Sequence, residues 1–474
     1  MTHARGWLVV LFLAGVLCTS GGAPLSGQRA QQPRAQAAAP APVTPPDEGF
    51  TMALTGDAII TRKLSIYREP AFLKLVEVIR GADAAFTNLE MLFHDYEPYA
   101  MNEGGGTYMR AEPALVQELV WAGFDLVSRA NNHTGDYGVL GMQLTTRYVE
   151  KAGLVQAGVG ASLAEAREAK FLDTPKGRVA LVSVASTFPD HVRAGRTRGD
   201  MPARPGLNPL RFTTTHVVSR ERLDQLRAML KELGLNAPAQ GDALTAFGNR
   251  FMAGDQPERR TEPNKGDLAE IASVVSNASR LADYTIVTFH GHENGGNRFV
   301  PAGFMVTFAR AMVDAGADVL IGHGPHVVRG IEIYKGKPIF YSLGDFMFQN
   351  DTLLRLPSEN YEPYQLGAAN HVADFNDRRY DNDRRGFPAD REIWEGLTVV
   401  PRWSGKVLKD ITVIPVTLGF GQPRTVRGRP LLAEGAGAQK IIDDVIRLSK
   451  PFGTEIRFEQ GVGKVVLPPP PAGK

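Results

Sequence analysis

The chain of 474 residues is long enough for two or three domains, or for one large α/β domain. Its composition is ordinary, with 43% apolar residues, 22% charged residues and a formal net charge of +2. This balance does not indicate a nucleic acid or a membrane surface as the main partner, and we expect no nucleic acid to bind.

Residues 1–22 have the pattern of a secretory signal peptide. Arg5 precedes an apolar run over residues 7–18, and small residues follow. A run of about twelve residues is shorter than the roughly 20 that a lasting membrane anchor needs. The only cysteine, Cys18, follows residues that fit a lipoprotein cleavage box poorly, so lipidation is the less favoured alternative. We therefore expect an exported protein of the periplasm or cell envelope.

Residues 23–49 are rich in Ala, Pro and Gln. We expect them to form a disordered tether, because so few apolar side chains cannot offset the entropy of ordering. Once the leader is removed, no cysteine remains for a disulfide or a thiolate ligand. Any metal site must then be built from His, Asp, Glu and Asn.

From residue 50 onward, short apolar runs alternate with amphipathic helical patterns, which is typical of parallel βαβ construction. We predict one domain over residues 50–350 and a polar surface insertion over residues 351–395. A hairpin and a helix over residues 396–460 are predicted to complete the same domain. The predicted strands cover residues 51–55, 84–87, 124–128, 179–184, 284–289, 318–321 and 338–343.

Two stretches lack a clear pattern. Residues 241–261 show no clear period and are interpreted as an insertion. The Arg-rich residues 190–211 fit a solvated loop, or alternatively a flexible basic flap that meets an anionic substrate at the rim of a site.

Polar side chains follow most of the predicted strands directly. They are Asp57, Asn88, Glu90, Asn131, Asn132, His133, His290, His292, His323 and His326. Because the carboxyl ends of parallel strands share one edge of a sheet, we expect these side chains to converge on one crevice. Carboxylate, amide and imidazole groups together suit a dinuclear site for divalent first-row metals. The alternatives are a chance cluster of polar strand ends and, for the last two histidines, a turn that packs under a loop.

In these residues the chain resembles the poly-γ-glutamate capsule-assembly proteins of the CapA type. The likeness rests on six motifs in order, which are Gly56-Asp57, Asn88-Leu89-Glu90, Ala130-Asn131-Asn132-His133 with Asp136 and Gly138, the strand before His290, Gly322 to His326, and Tyr341-Ser342-Leu343-Gly344. That family is similar to the calcineurin-like metallophosphoesterases. The resemblance therefore implies a four-layer α-β-β-α sandwich, with two facing mixed sheets and outer helices.

The resemblance also implies roles for the polar residues. Asp57 would bind the first of two divalent ions (Mn, Zn or Fe), and Glu90 would bridge them. The other implied metal ligands are Asn132, His290, His323 and His326. His133 would be the catalytic imidazole that protonates a leaving group without binding metal. Further candidates are Asn88, His292 and Asp345, the last as a carboxylate that orients a histidine.

The chain departs from its relatives at the same site. Some relatives have His-Pro-His where this chain has Gly324-Pro325-His326, so one imidazole is missing there. His292 adds an imidazole where relatives often have Trp-Gly. The Gly-Asp-x-x-Asp signature of the phosphoesterases is absent, which weakens the analogy to phosphatase activity.

The function implied by the resemblance is synthesis, release or export of poly-γ-glutamate or a similar capsule polymer. The polar residues favour a metal-dependent hydrolase or transferase that acts on an amide or a phosphoester. We expect a polyanionic or peptide-like envelope polymer as substrate and membrane-bound capsule synthesis proteins as partners. The alternatives are a non-catalytic accessory for polymer binding or export, and a metallophosphoesterase with another substrate.

Overall fold

The computed structural model describes residues 49–468. The predicted signal peptide, nearly all of the predicted tether and the Pro-rich end of the chain lie outside the described residues. The described part has a mixed α/β fold, as the sequence predicted. None of its helices combines the length and the apolar character that crossing a membrane requires.

The strands and α-helices are numbered in chain order. The strands are β1 (Phe50–Ile59), β2 (Ala84–Leu89), β3 (Leu92–Phe93), β4 (Arg110–Ala111), β5 (Leu126–Ser128), β6 (Val155–Ala157), β7 (Val159–Gly160), β8 (Lys170–Thr174), β9 (Gly177–Ala185), β10 (Gly206–Leu207), β11 (Phe212–Val218), β12 (Ala243–Ala246), β13 (Asn249–Ala253), β14 (Glu258–Pro263), β15 (Tyr284–His290), β16 (Val319–His323), β17 (Ile331–Tyr334), β18 (Lys337–Phe340), β19 (Asp345–Phe348), β20 (Glu395–Ser404), β21 (Val407–Thr417), β22 (Leu431–Leu432), β23 (Glu455–Glu459) and β24 (Val462–Val466). The helices are α1 (Pro70–Arg80), α2 (Val116–Ala122), α3 (Gly138–Lys151), α4 (Leu163–Arg167), α5 (Arg220–Glu232), α6 (Lys265–Leu281), α7 (Gly303–Asp314), α8 (Ser358–Tyr361), α9 (Val372–Tyr380) and α10 (Gly435–Ser449).

A ten-stranded sheet contains β1 near its middle. Its main order is β23-β24-β21-β20-β1-β2-β5-β6, with β19 also paired to β1 and β22 to β21. β1 runs parallel to β2 and β19 and antiparallel to β20. The hairpin of β20 and β21 therefore extends the sheet that begins at the first strand.

A six-stranded sheet has the order β17-β18-β16-β15-β9-β8. Its four central strands, β9, β15, β16 and β18, run parallel. The edge strands β8 and β17 each pair antiparallel with a neighbour. Both large sheets are thus mixed, with parallel strands at their centres.

Three large apolar clusters hold these elements together. One joins side chains of both large sheets, including Met52, Leu54, Phe86, Leu181, Ile286 and Ile321. A second joins Ala53 and Ala85 of the ten-stranded sheet to α1 and α2, and a third joins Ala180 and Val287 of the six-stranded sheet to α6 and α7. Successive residues fall into different clusters because side chains alternate along a strand. Each buried large apolar side chain contributes roughly 1.5–3 kcal/mol, so this packing fixes the strands that carry the polar residues.

Residues 241–261, for which the sequence showed no clear period, contain strands. They contain β12, β13 and part of β14, which join β11 in a four-stranded sheet of order β12-β13-β11-β14. α5 covers this sheet through Leu223 and Leu230, which pack with Leu244. Most other side chains of these short strands are exposed or half-buried, so the sequence shows no regular apolar alternation.

The C-terminal part differs from the prediction. A further hairpin, β23 and β24, follows α10 and extends past residue 460. The polar residues 351–395 include buried apolar side chains such as Phe375, Tyr380 and Trp394. Their polar composition gave no sign of this burial, because the buried residues are spread among short helices and turns.

Candidate metal centre

The two large sheets bring the ends of their central strands together. Within the ten-stranded sheet, Asp57 of β1 lies beside Asn88 of β2 and Asp345 of β19. Within the six-stranded sheet, His290 of β15 lies beside His323 of β16. All five side chains are fully buried. The predicted convergence of polar strand ends therefore occurs where two sheets meet, and not along the edge of a single sheet.

Two hydrogen bonds fix the carboxylate of Asp57. Asn88 Nδ2 donates to Oδ1 at 2.7 Å, and the backbone N–H of Gly324 donates to Oδ2 at 3.0 Å. Oδ1 lies 3.9 Å from His290 Nδ1 and 3.7 Å from His323 Nδ1. Burial is the main cause that raises the pKa of Asp57 to about 7. The group is thus held rigidly among imidazoles in an apolar environment.

Glu90 lies among three imidazoles. Its Oε1 is 3.8 Å from His133 Nε2, 3.8 Å from His290 Nε2 and 3.9 Å from His326 Nε2. The side chain is fully buried, and neither carboxylate oxygen has a hydrogen-bond partner within the described chain. Burial, followed by the nearby Asp57 carboxylate, raises the pKa of Glu90 well above its usual value. An ionised carboxylate at this position needs a cation, because burying an unpaired charge is very costly.

His133 lies on a short 3₁₀-helix, Asn132–Gly135. The side-chain oxygen of Asn131 caps this helix by accepting a hydrogen bond from the His133 backbone N–H at 3.1 Å. His133 Nδ1 lies 2.7 Å from Asp136 Oδ2, and Nε2 faces Glu90. Because Asp136 engages one ring nitrogen, the other is the one directed to the interior of the site.

Asn132 begins the same 3₁₀-helix, directly before His133. Its Nδ2 donates a hydrogen bond to the Gly105 carbonyl at 2.8 Å, while its buried Oδ1 has no partner among residues 49–468. A Cβ at Gly105 would lie 2.4 Å from the Asn132 carbonyl oxygen, so this close approach requires glycine. The arrangement leaves an amide oxygen available as a ligand.

His326 follows the turn of Gly324 and Pro325 and has a positive φ of 54°. Its Nδ1 lies 2.9 Å from Asp345 Oδ1 and 3.9 Å from Asp57 Oδ2. Burial lowers the pKa of His326, but the surrounding carboxylates, above all Asp345, outweigh burial and raise it to about 10. Asp345 is therefore placed to orient the imidazole, as the sequence analysis expected of it.

His323 lies in the core between the two sheets, close to Phe86. It is fully buried, and neither ring nitrogen has a hydrogen-bond partner in the described chain. Its ring centroid lies 5.6 Å from that of Phe86 in the core between the sheets. Burial lowers the pKa of His323 to about 3, so the ring is neutral near pH 7.

Three overlapping groups of side chains have donor atoms within 4.8 Å of one another. They are Asp57, Glu90 and His290; Glu90, His292 and His326; and Asp57, His326 and Asp345. We refer to these six residues as the metal centre. Asp57, Glu90 and His326 each belong to two of the groups, so the groups form one connected cluster. The groups include His292, which was only a further candidate, and do not include His323.

The hydrogen bonding of the site fits a divalent metal. Unpartnered buried atoms in the described chain include both carboxylate oxygens of Glu90, the amide oxygens of Asn88 and Asn132, and Oδ2 of Asp345. Buried polar atoms in proteins almost always have a partner. Oxygen and imidazole donors together are the ligands that divalent first-row metals prefer. The residues present are therefore suited to hold such an ion.

Two neighbours of the site were not assigned a role from the sequence. Asp136 follows His133 by three residues, a spacing that places the two on one side of a helical turn and could have indicated the contact. Phe387 belongs to the predicted surface insertion, yet its ring centroid lies 5.7 Å from His326 and 5.3 Å from Phe348. That contact joins distant stretches and leaves no local sequence pattern.

Two arginines lie next to loops of the site. Arg379 of α9 donates a hydrogen bond to Thr107, which follows the glycine loop beside His133. Arg259 of β14 donates to the carbonyl of Asn294, two residues after His292. Neither arginine has a carboxylate within ion-pair distance among the described residues. Both are therefore available to attract an anionic group.

Comparison with known proteins gives consistent matches. A family model described as bacterial capsule synthesis protein PGA_cap matches residues 51–350. An uncharacterized protein of Sinorhizobium fredii is 37% identical over 432 residues, which are 89% of this chain and 94% of that protein. The capsule biosynthesis protein CapA of Bacillus anthracis is 25% identical over 309 residues, 64% of this chain and 60% of that protein. A probable polyglutamine synthesis accessory protein of Mycobacterium tuberculosis is 30% identical over 237 residues, 50% of this chain and 48% of that protein.

Proposed function

Because this chain belongs to the PGA_cap family of bacterial capsule synthesis proteins, we propose that it is an exported, metal-dependent hydrolase or transferase. It acts on an amide or phosphoester bond of poly-γ-glutamate or a similar anionic envelope polymer. The observation that carries this proposal is Glu90, a fully buried carboxylate without a hydrogen-bond partner in the described chain, surrounded by imidazoles.

The proposal includes the architecture. The two large sheets face each other with helices outside, which gives four layers in the order α-β-β-α. One apolar cluster shared by both sheets, and two clusters that each join one sheet to helices, support this arrangement. Residues 396–460 complete the same domain, because β20 pairs directly with β1.

The metal centre would hold two divalent ions among the donor groups of Asp57, Glu90, His290 and His326. The Asn132 amide oxygen is a further ligand. Ions bound there would polarise the scissile group and provide a nucleophile near neutral pH. Asn88 holds the Asp57 carboxylate in place, and Asp345 holds the His326 ring. These supporting hydrogen bonds reduce the reorganisation that binding and reaction require.

His133 is the proton donor to the leaving group. Its Nδ1 is engaged by Asp136 at 2.7 Å, so a proton on Nε2 faces the substrate side of Glu90. Cleavage of an amide or phosphoester leaves an amine or alkoxide that must take up one proton, and Nε2 supplies it. The donating ring becomes neutral imidazole, and it is protonated again on Nε2 when it takes a proton from the incoming water or acceptor hydroxyl.

The substrate class follows from charge and from the relatives. Relatives are described as capsule or polyglutamine synthesis proteins. Arg259 and Arg379 lack carboxylate partners among the described residues and contact loops next to His292 and His133. Positive charge at these loops attracts an anionic chain. The apolar run at residues 7–18 supports export, and membrane-bound capsule synthesis proteins are the proposed partners.

The test uses the purified chain without residues 1–48. Bound metal is quantified, and the protein is then offered poly-γ-glutamate, a phosphodiester and a phosphomonoester. We expect metal-dependent cleavage or transfer with the polymer and its loss in Glu90→Gln. Less than about half an equivalent of metal, or a polymer that stays intact in the presence of added Mn²⁺ or Zn²⁺, would contradict the proposal.

A non-catalytic accessory role is the second candidate. The description of the Mycobacterium tuberculosis relatives as accessory proteins favours it, as does the near-complete burial of Asp57, Glu90 and His290. An accessory would bind the polymer with equal affinity in the wild type and in Glu90→Gln, and would leave its length unchanged. Cleavage of the phosphoesters alone would instead favour a metallophosphoesterase with another substrate.

A further inference from the structure

His292 lies two residues after His290, just beyond the end of β15. The two Nε2 atoms lie 3.1 Å apart. His292 also lies within 4.8 Å of donor atoms of Glu90 and His326. The imidazole therefore faces the interior of the site.

The separation of the two nitrogens fits adjacent positions on one ion. Imidazole nitrogens bind metals at about 2.0–2.1 Å, so two that meet at a right angle lie about 3 Å apart. Without an ion, the same separation would be a hydrogen bond between two neutral rings. Glu90 and its two unpartnered oxygens lie on the same side, and this favours the ion.

Gly324 creates the space for His292. A Cβ at this position would lie 2.8 Å from His292 Cδ2 and 3.1 Å from His290 Nε2. The φ of Gly324 is also 108°, which side chains other than glycine rarely adopt. The backbone N–H of the same residue holds Asp57. Gly324 thus donates a backbone hydrogen bond to the Asp57 carboxylate and leaves the space that the His292 imidazole occupies.

A chain of hydrogen bonds holds the backbone of His292. Its N–H donates to Thr187 Oγ1 at 2.8 Å, and that hydroxyl donates to Glu293 Oε1 at 2.9 Å. The fully buried Arg329 donates to the carbonyl of Glu293 at 2.9 Å. These bonds fix the backbone that carries the ring, which reduces the positions that the ring can adopt.

We propose that His292 is a metal ligand that shares an ion with His290 and Glu90, and that Gly324 is the residue that admits it. The proposal rests on the metal centre of the proposed function but adds a ligand from a position that the family resemblance did not supply. We expect the bound ions to be divalent metals that accept imidazole, such as Zn²⁺, Co²⁺ or Mn²⁺.

The test is a double-mutant cycle of metal affinity. The metal-free chain without residues 1–48 is titrated with Co²⁺, and binding is followed by its visible absorption and by competition with a chelator. We expect His292→Ala to weaken one of the two ions at least about tenfold and to change the Co²⁺ spectrum. Gly324→Ala should weaken the same ion, because the added methyl displaces His292. The double variant should then bind Co²⁺ no more weakly than whichever single variant binds it more weakly.

The control is His216→Ala, a histidine that stacks on Phe251 in the four-stranded sheet. It should bind Co²⁺ like the wild type, and thermal unfolding of each metal-free variant reports whether it folds. Equal affinities of His292→Ala and the wild type would overturn the proposal while leaving the proposed function intact. Weakening in His292→Ala without any turnover of polymer by the wild type would support the ligand and contradict the function. A wild-type chain that binds no Co²⁺ would overturn both.

Discussion

His133 Nδ1 lies 2.7 Å from Asp136 Oδ2, and that carboxylate also accepts hydrogen bonds from two backbone N–H groups. The Met109 N–H donates to the same oxygen at 2.7 Å, and the Gly105 N–H donates to Oδ1 at 2.7 Å. Asp136 therefore fixes both the imidazole and the loop that passes in front of it.

The first prediction concerns this pair. Asp136→Asn should lower turnover by about 10²–10⁴-fold. The reason is that His133 loses the carboxylate that orients its ring and determines which ring nitrogen carries a proton. Metal content should stay unchanged, because Asp136 does not belong to the metal centre. The measurement is kcat over a range of pH, together with metal analysis. Asp190→Asn, at an exposed site, serves as control. A variant with normal kcat and an unshifted pH profile would exclude a role for Asp136 in proton transfer.

The second prediction concerns Glu90. In the metal-free protein, Glu90→Gln should raise the free energy of unfolding by about 1–3 kcal/mol, because it removes a buried carboxylate without a partner. With Zn²⁺ present the order should reverse, since only the wild type gains binding energy, about 2.7 kcal/mol at 100 times the dissociation constant. Urea unfolding with EDTA or with Zn²⁺ measures both. Glu434→Gln, on the surface, should change neither. A wild type whose stability does not respond to metal would refute the argument.

The third prediction concerns Arg379. Arg379→Gln should raise KM for an anionic polymer about tenfold with little change in kcat, because the guanidinium acts on substrate attraction and not on the reaction. Added salt should reduce the difference from the wild type, since salt screens the attraction between the guanidinium and an anionic polymer. Arg222→Gln on α5 is the matched control. Equal KM values for both variants and the wild type would show that Arg379 does not attract the substrate.

The fourth prediction concerns pH and His94. Burial, and then the nearby Arg110, lowers the pKa of His94 to about 4. Because the folded value lies below the unfolded value of about 6.5, this residue stabilises the fold above pH 6.5 and loses that contribution as the pH falls toward 4. The loss should reach about 3 kcal/mol at the low end of the window. Urea unfolding of wild type and His94→Asn between pH 4 and 7 measures it. Parallel curves for the two proteins would show that His94 does not titrate in this window.

The sequence predicted those strands whose apolar runs are long and bounded by small or polar residues. β15 and β16 are examples, since their buried runs end at His290 and His323. β1 was predicted too short, because it continues through Asp57 to Ile59. There the chain passes so close to β19 that a Cβ on Gly56 would lie 1.8 Å from the Gly344 carbonyl oxygen. Such a close approach depends on a partner strand almost 290 positions later and has no local signal.

The same distinction applies to the site. Glu90 and His290 follow apolar runs, so their position at strand ends could be inferred from the sequence, whereas Asp57 lies within β1. The positions of the His292 and His323 rings could not be inferred, because they depend on how the two sheets pack against each other. The space that Gly324 leaves beside His292 is likewise visible only in three dimensions.

The ligands of the metal centre come from strands and loops that extend from Asp57 to Asp345 and from both large sheets. In an unfolded chain these side chains are far apart, so no high-affinity site exists before the two sheets have packed. The ion must therefore bind after folding. The metals present in the compartment where the chain folds then determine which ion occupies the site. If the chain folds after crossing a membrane, the metals available outside the cytoplasm, and not those within it, determine which ion the protein holds.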